Sequence, residues 1–271
     1  MTDPKVQIFD IMACNVYVDY DFVPVKESHK FLIAFFPMKN AFVPDLIDEI
    51  IAYGPNGYQV EFKNQKYDLS NINGYITDSA FNSCWYMVNL PTGFMEEGDY
   101  KIEVRCKNGA VISKSRYQES APGQKLVEAY LENKEKILKS YTPGTINGIP
   151  ERTSLKNLKI KWTTLKEIAN IDAYYIFRIS LGKKPNEFNI QKLVWWDNVF
   201  VQSFSEKDAG LNRGEVTIQN ELQPSTSYAY FVETTDSNSM GKTNICIFQP
   251  HQIISTPSAS QEILAAKRIE G

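Results

Sequence analysis

Histidine is nearly absent: the chain of 271 residues holds two, His29 and His251. Neither has a companion at metal-ligand spacing, which argues against most zinc hydrolases, Ser-His-Asp hydrolases and haem proteins. Cysteine is almost as scarce, with Cys14, Cys84, Cys106 and Cys246 alone. No two of them form a C-x-x-C pair, which removes zinc-ribbon and thioredoxin-type motifs. So low a count also excludes a disulfide-dense secreted scaffold. Two readings of the thiols stay open. All are buried and free, as small apolar residues, or one disulfide forms among Cys14, Cys84 and Cys106, with Cys246 lacking a partner in its own half of the chain.

Long apolar runs are missing too. The longest, Phe31 to Met38, is far short of the roughly 20 residues that span a bilayer. Met1-Thr2-Asp3-Pro4-Lys5 is not a basic segment leading into an apolar one, so no signal peptide is visible, and no N-x-[ST] sequon occurs. Localisation is left open between a cytoplasmic protein and a mature exported one. An excess of positive charge is lacking: Lys+Arg 29 against Asp+Glu 32 gives a net charge of -3. A nucleic-acid partner, which needs a basic stripe to displace counterions, is not expected. Nor is there a Gly-x-Gly-x-x-Gly or a Gly-x-Ser-x-Gly, so the dinucleotide fingerprint and the nucleophile elbow are absent. Met240-Gly241-Lys242-Thr243 resembles the end of a phosphate loop, but Asp236 stands where its first glycine belongs. A strand rather than a helix follows, and a turn between strands explains Gly241. No cofactor and no metal site is expected.

What is present is a globular composition, 43% hydrophobic and 23% charged, long enough for one large or two ordinary domains. The dominant pattern has period 2. Val16, Val18 and Tyr20 alternate with Tyr17, Asp19 and Asp21. Phe31–Phe36 is a continuous apolar run. Ile47–Tyr53, Gly54-Pro55-Asn56-Gly57 and Tyr58–Phe62 read as a hairpin with a longer loop. Further strands are expected at Gly74–Thr77, Cys84–Asn89, Asp99–Cys106 and Val111–Tyr117, the last two joined at Lys107-Asn108-Gly109. Many short strands with frequent turns predict an antiparallel sandwich.

The period then changes. Leu126, Val127, Tyr130, Leu131, Ile137, Leu138 and Tyr141 recur at helical spacing, with Glu132–Lys136 and Glu135–Lys139 as i,i+4 pairs. A helix is predicted from about Gln124 to Ser140, ended by Tyr141-Thr142-Pro143-Gly144. Period 2 returns with Leu158, Ile160 and Trp162, then Ala173, Tyr175, Phe177 and Ile179. The run Val194 to Val201, the pair Val216 and Ile218, the row Tyr228, Tyr230 and Val232, and a last strand at Asn244–Phe248 follow. Ser258-x-x-Gln261 fits a capping box opening a short helix, Gln261 to Ile269, or a frayed tail.

Leu222-x-Pro224-x-Thr226-x-Tyr228-x-Tyr230-x-Val232 resembles the E–F corner of a fibronectin type III domain, with Tyr228 as its tyrosine corner. Trp162 in Leu158-x-Ile160-x-Trp162 matches that family's strand-B tryptophan, and Tyr175-x-Phe177 its strand C. The resemblance covers about Ile149 to Pro257. It departs from the family at Gly182 to Glu215, long for the connection from strand C to strand E. More loosely, Leu90-Pro91 followed by Gly98-Asp99-Tyr100 resembles the same corner in an Ig-like domain.

The expected fold class is therefore mainly β: two tandem antiparallel β-sandwich domains, Ig-like then fibronectin type III-like, joined by an α-helical linker. The boundaries are 1–119, a linker at 120–144, 145–257, and a tail at 258–271. The resemblance implies a non-catalytic binding or spacer protein that recognises a protein or glycan through loops or edges, in an extracellular or envelope setting. The alternatives are a carbohydrate-binding accessory module of an extracellular enzyme and a self-assembling structural component.

Candidate binding residues are Trp195, Trp196 and Tyr174. Adjacent strand residues point to opposite faces, so one tryptophan belongs in the core. The other is outward beside Tyr174, to stack on a sugar or anchor a protein, unless the long connection covers it. Asp19 with Asp21, the group Glu96, Glu97 and Asp99, and the loop Asp68, Ser70, Asn71 and Asn73 are read as turn or strand-end groups. The two histidines are read as ordinary polar residues near strand ends.

Overall fold

The computed structural model describes residues 6–68, 72–78, 83–119, 121–146 and 149–261. By its contacts the chain divides into two units. The first comprises Met1–Val18, Val25–Gln124 and Ser239–Cys246, and the second Asp19–Pro24, Lys125–Asn238 and Ile247–Gly271.

In the first unit the predicted alternation produces two antiparallel sheets. One contains β1 (Ile8–Val18) and β2 (Glu27–Phe35), and the other β3 (Ile47–Tyr53) and β4 (Gln59–Phe62). β5 (Asn73–Asp78) and β6 (Ser83–Leu90) join the first sheet, while β7 (Gly98–Cys106) and β8 (Val111–Gln118) join the second. Their orders are β5-β6-β2-β1 and β4-β3-β7-β8. The inward rows, Phe31, Ile33 and Phe35 from one and Ile50, Ala52, Tyr100, Ile102 and Val104 from the other, form one buried core. The turn after β3 needs left-handed backbone at Asn56 and Gly57, with φ of 54° and 75°, as Asn-Gly supplies.

The segment Ser239–Cys246 returns to the first unit late in the chain. Asn15 N–H donates to the Asn244 carbonyl at 2.8 Å, and Gln118 Nε2 donates to the same oxygen at 2.8 Å. Gly241 sits where an added Cβ would lie within 2.3 Å of the Arg116 guanidinium, which packs over it. That close approach gives this glycine its place.

The second unit begins its regular structure with the helix Ala121–Ser140, from Lys125 onward. Leu126, Val127, Ala129, Tyr130 and Ile137 make its buried stripe, while Leu131, expected there, is exposed. β9 (Thr145–Ile146), β10 (Ile149–Arg152) and β11 (Leu158–Lys161) follow, then β12 (Tyr174–Leu181), β13 (Leu193–Trp196) and β14 (Glu215–Ile218). β15 (Ser227–Thr235) and β17 (Gln252–Ser255) complete it, together with the second half of β16 (Ile245–Phe248), whose first two residues belong to the first unit. β15 pairs with β12 along one edge and with β17 over the first half of the other. β11 and β14 make a separate two-stranded sheet.

Between these layers lie Trp162, Tyr175, Phe177, Ile179, Tyr228 and Tyr230, all buried. Trp162 stacks on Phe177 with ring centroids 6.4 Å apart. Tyr228 accepts from the Gln223 N–H at 2.7 Å, the corner that the resemblance implied. The first unit holds an analogous tie, from the Tyr100 hydroxyl to the Glu96 carbonyl at 2.8 Å.

Several expectations are corrected. The run Val194 to Val201 is not one strand. It ends at Trp196, because the Asn198 side chain accepts from the Val201 N–H at 3.2 Å and caps a short helix, Val199–Gln202. Asn244–Phe248 is not the last strand, since β17 follows it. Tyr20 lies beyond the end of β1. Ser258 and Gln261 make both bonds of the capping box; the helix expected from there to Ile269 lies outside the described residues after Gln261.

Candidate functional site

The strand register separates the paired tryptophans. Trp195 stands opposite Ile179 and Trp196 opposite Arg178. Trp195 thus faces the sandwich interior, its ring 5.9 Å from Phe177. Trp196 faces outward with Arg178, whose guanidinium lies 5.7 Å from the indole centroid. Alternation puts Tyr174 and Ile176 on that same outward face of β12. Both tryptophans and Tyr174 are half-buried.

Much of this outer face is covered. β15 is buried on both sides, so its outward residues Ala229, Phe231 and Glu233 need partners. The long connection from Gly182 to Glu215 supplies some of them: Phe188 packs edge-on to Phe231 at 5.0 Å, with Ile190 and Leu193 beside it. Glu233 is fully buried and its carboxylate pairs with the Arg178 guanidinium. That guanidinium also lies 5.8 Å from the Phe231 ring.

His251 occupies a cage of rings. Tyr20 lies 4.3 Å from it, Phe188 4.9 Å and Phe231 5.0 Å. Neither ring nitrogen has a hydrogen-bond partner among the described residues. Burial pulls its pKa down to about 3 from the ordinary 6.5, so the ring is neutral at physiological pH. His29 differs. Its Nδ1 donates to the Gly93 carbonyl at 2.7 Å, and its Nε2 therefore accepts from the Tyr58 hydroxyl at 2.5 Å. Burial lowers its pKa as well. Both histidines lie near strand ends as expected, His29 at the start of β2 and His251 just before β17, but both are buried.

The acidic groups also sort themselves. Glu96 and Glu97 are exposed, accepting from Asn56 and Tyr117. Asp19 is buried, not solvated; it accepts from the Tyr130 hydroxyl and the Lys134 ammonium, each at 2.7 Å. Asn73 ties its loop through bonds with Lys63 N–H and the Glu61 carbonyl; Ser70 and Asn71 lie outside the described residues. Asp197 is pushed up to about 6 by burial, against the pull of Arg213 and the Phe177 amide. It pins Arg213, whose guanidinium also reaches the Tyr175 carbonyl. Among the described residues, no three His, Cys, Asp or Glu side chains converge as a metal site.

The most exposed element of this face is one that sequence reasoning missed. The short helix Val199–Gln202 is rooted by Val199, which packs with Ile176 and Ala209, and by Phe200 beside them. From that root Val201 stands 43% exposed and Phe204 72% exposed. Ile176 lies between Tyr174 and Arg178 on the outward face, so the anchored turn rises from the face that carries Tyr174 and Trp196. The available signal was Phe204 itself, a lone aromatic in the polar run Ser203-Phe204-Ser205-Glu206-Lys207.

A concavity of about 350 Å³ is lined by Ser225, Thr226, Ser227, Ser255, Thr256, Ser258 and Gln261. It offers hydroxyls but no aromatic platform and no charge.

The class that these observations define is a mainly β chain of antiparallel sandwich architecture. No known family model matches the chain, and no curated protein matches it. Among solved structures, the fibronectin(III)-like modules of Clostridium thermocellum CbhA align at 10% identity and a TM-score of 0.20, over 93% of this chain and 95% of that one. The FN1–FN3 domains of chicken CNTN1 align at 11% identity and a TM-score of 0.21, over 94% of this chain and 66% of that one. Likenesses of that size carry no weight beside the strand order and register given above.

Proposed function

We propose that the protein is a non-catalytic binding module that recognises a protein partner through the outward face of its second unit. Tyr174, Trp196, Val201 and Phe204 are the contact residues, while Trp195 supports them from the core side. The observation that carries this reading is the anchored turn: Phe204 is 72% exposed in the turn that follows a short helix whose root is buried. Exposed aromatics on a rigid base are what interface hot spots are made of, because little side-chain entropy is lost on binding. The domain boundaries at 1–119 and 145–257, and the linking role of the helix, belong to the same proposal.

A glycan partner is less well supported. Sugar stacking needs an open aromatic face, and Trp196 already has the Arg178 guanidinium beside its ring. The experiment is affinity capture with the wild type and with Val201→Asp and Phe204→Asp. The expected result is a partner retained by the wild type and lost by both variants, at unchanged melting temperature, with a blank glycan array. A glycan-array signal abolished by Trp196→Ala would replace the reading with the carbohydrate-binding one. Concentration-dependent mass in light scattering, abolished by Phe204→Asp, would replace it with self-assembly.

A further inference from the structure

None of the four cysteines is joined in a disulfide and all are buried, in line with the first of the two sequence readings. Cys84 and Cys106 sit in the first unit's apolar core. Burial pushes the Cys84 thiol up to about 12 and raises that of Cys106, so both are inert. Cys14 and Cys246 are different. Their sulfurs are 3.4 Å apart across 232 positions of sequence, and both side chains are fully enclosed. Cys14 belongs to β1, and Cys246 to the returning segment that Asn15 holds through the Asn244 carbonyl.

We propose that Cys14 and Cys246 are a cross-linking site, closed to a disulfide when the chain folds in an oxidising medium. Two strands already joined by backbone hydrogen bonds bring the sulfurs together, and about 1.4 Å of further approach reaches the bonded separation of about 2 Å. The oxidant is a low-molecular-weight disulfide of the glutathione type. One cysteine thiolate attacks it, forming a mixed disulfide and releasing one glutathione thiolate. The second cysteine thiolate then attacks the protein-side sulfur and expels the other. The two cysteines lose two electrons and two protons; the glutathione disulfide gains both and leaves as two thiols. Because both sulfurs are enclosed in the folded unit, exchange takes place during folding, before β1 and the returning segment close over them. The bond would fasten the late segment Ser239–Cys246 to the first strand of its unit, closing a loop of more than two hundred residues. In the chain-entropy account, loops of that length restrict the unfolded state most.

The test refolds the full chain from denaturant in a reduced/oxidised glutathione buffer, alkylates it under denaturing conditions, and maps peptides by mass spectrometry. Two alkylated thiols, Cys84 and Cys106, are expected, with one linked peptide joining Cys14 to Cys246. A dithiothreitol-treated sample should alkylate at four positions and melt several degrees lower. Cys84→Ala should keep the linked peptide, and Cys14→Ser should abolish it. Four alkylated thiols after refolding to native-like circular dichroism, or a linked peptide joining any other pair, overturns the proposal. The wild-type measurement needs no variant to fold.

Discussion

At the scale of single residues, the two histidines are the sharpest tests of the structure. His251 is held neutral in a cage of rings, with a folded pKa of about 3 against the ordinary 6.5. The unfolded chain takes up a proton there first, so the folded state loses stability as pH falls through 6.5, and the loss levels off near 3. From about pH 7 to about pH 4.5 the penalty comes to roughly 3 kcal/mol. Asp197 acts in the opposite sense. Its pKa is raised by burial to about 6, so its contribution is complete below the ordinary carboxylate range and is lost as pH rises through 6. Wild-type stability alone would therefore mix the two effects. The difference between His251→Leu and the wild type isolates the histidine, and urea midpoints should show it growing in favour of the variant toward acid. A constant difference would mean that His251 is solvated. Tyr228→Phe addresses the corner. It leaves the Gln223 N–H without its acceptor and should cost about 1–3 kcal/mol, seen as a lower thermal midpoint.

At the scale of elements, β15 and β5 show how neighbours set the demands on a strand. β15 is buried on both faces, and its one acid, Glu233, is paired there with Arg178 from β12. Glu233→Leu should cost about 3–5 kcal/mol by removing the carboxylate that pairs with the buried guanidinium. Adding Arg178→Met should recover much of that loss, and a double-mutant cycle on unfolding free energies reads the coupling. In β5, an added Cβ at Gly74 would lie 2.2 Å from the Gln65 carbonyl oxygen and 2.9 Å from the Tyr67 nitrogen. Both are backbone atoms and cannot swing aside. Gly74→Ala should therefore destabilise the first unit by about 1–3 kcal/mol, whereas Gly241→Ala meets only the movable end of Arg116 and should cost less. Equal losses at the two glycines would contradict the packing described.

At the scale of the whole molecule, neither unit is a continuous stretch of chain. The first takes Ser239–Cys246 from near the end, and the second takes Asp19–Pro24 from near the beginning. A chain ended at Asn238 would lack Asn244 beside β1, and also β17 and His251 from the second unit. Far-UV circular dichroism and proteolysis should find it largely unfolded; a protease-resistant product would argue that the late segments are dispensable.

Local pattern was enough for much of this architecture. Alternation specifies which side of a strand is apolar, and Asn-Gly turns specify where it reverses. The β3–β4 and β7–β8 hairpins, the long helix and the core positions of Trp162, Tyr175 and Phe177 were therefore legible in the sequence, whereas most of β1 and its pairing with β2 were not. The split of Trp195 and Trp196 between two faces was legible for the same reason, since a period of 2 is a property of the strand itself. Pairings between residues far apart in sequence were not. Cys14 beside Cys246, the Tyr20–His251 cage, the Arg178–Glu233 pair and the anchored Val201–Phe204 turn depend on which segments meet. That outcome is decided by burying the remaining apolar surface once the strands exist, a sum over the folded chain that no local window of residues contains.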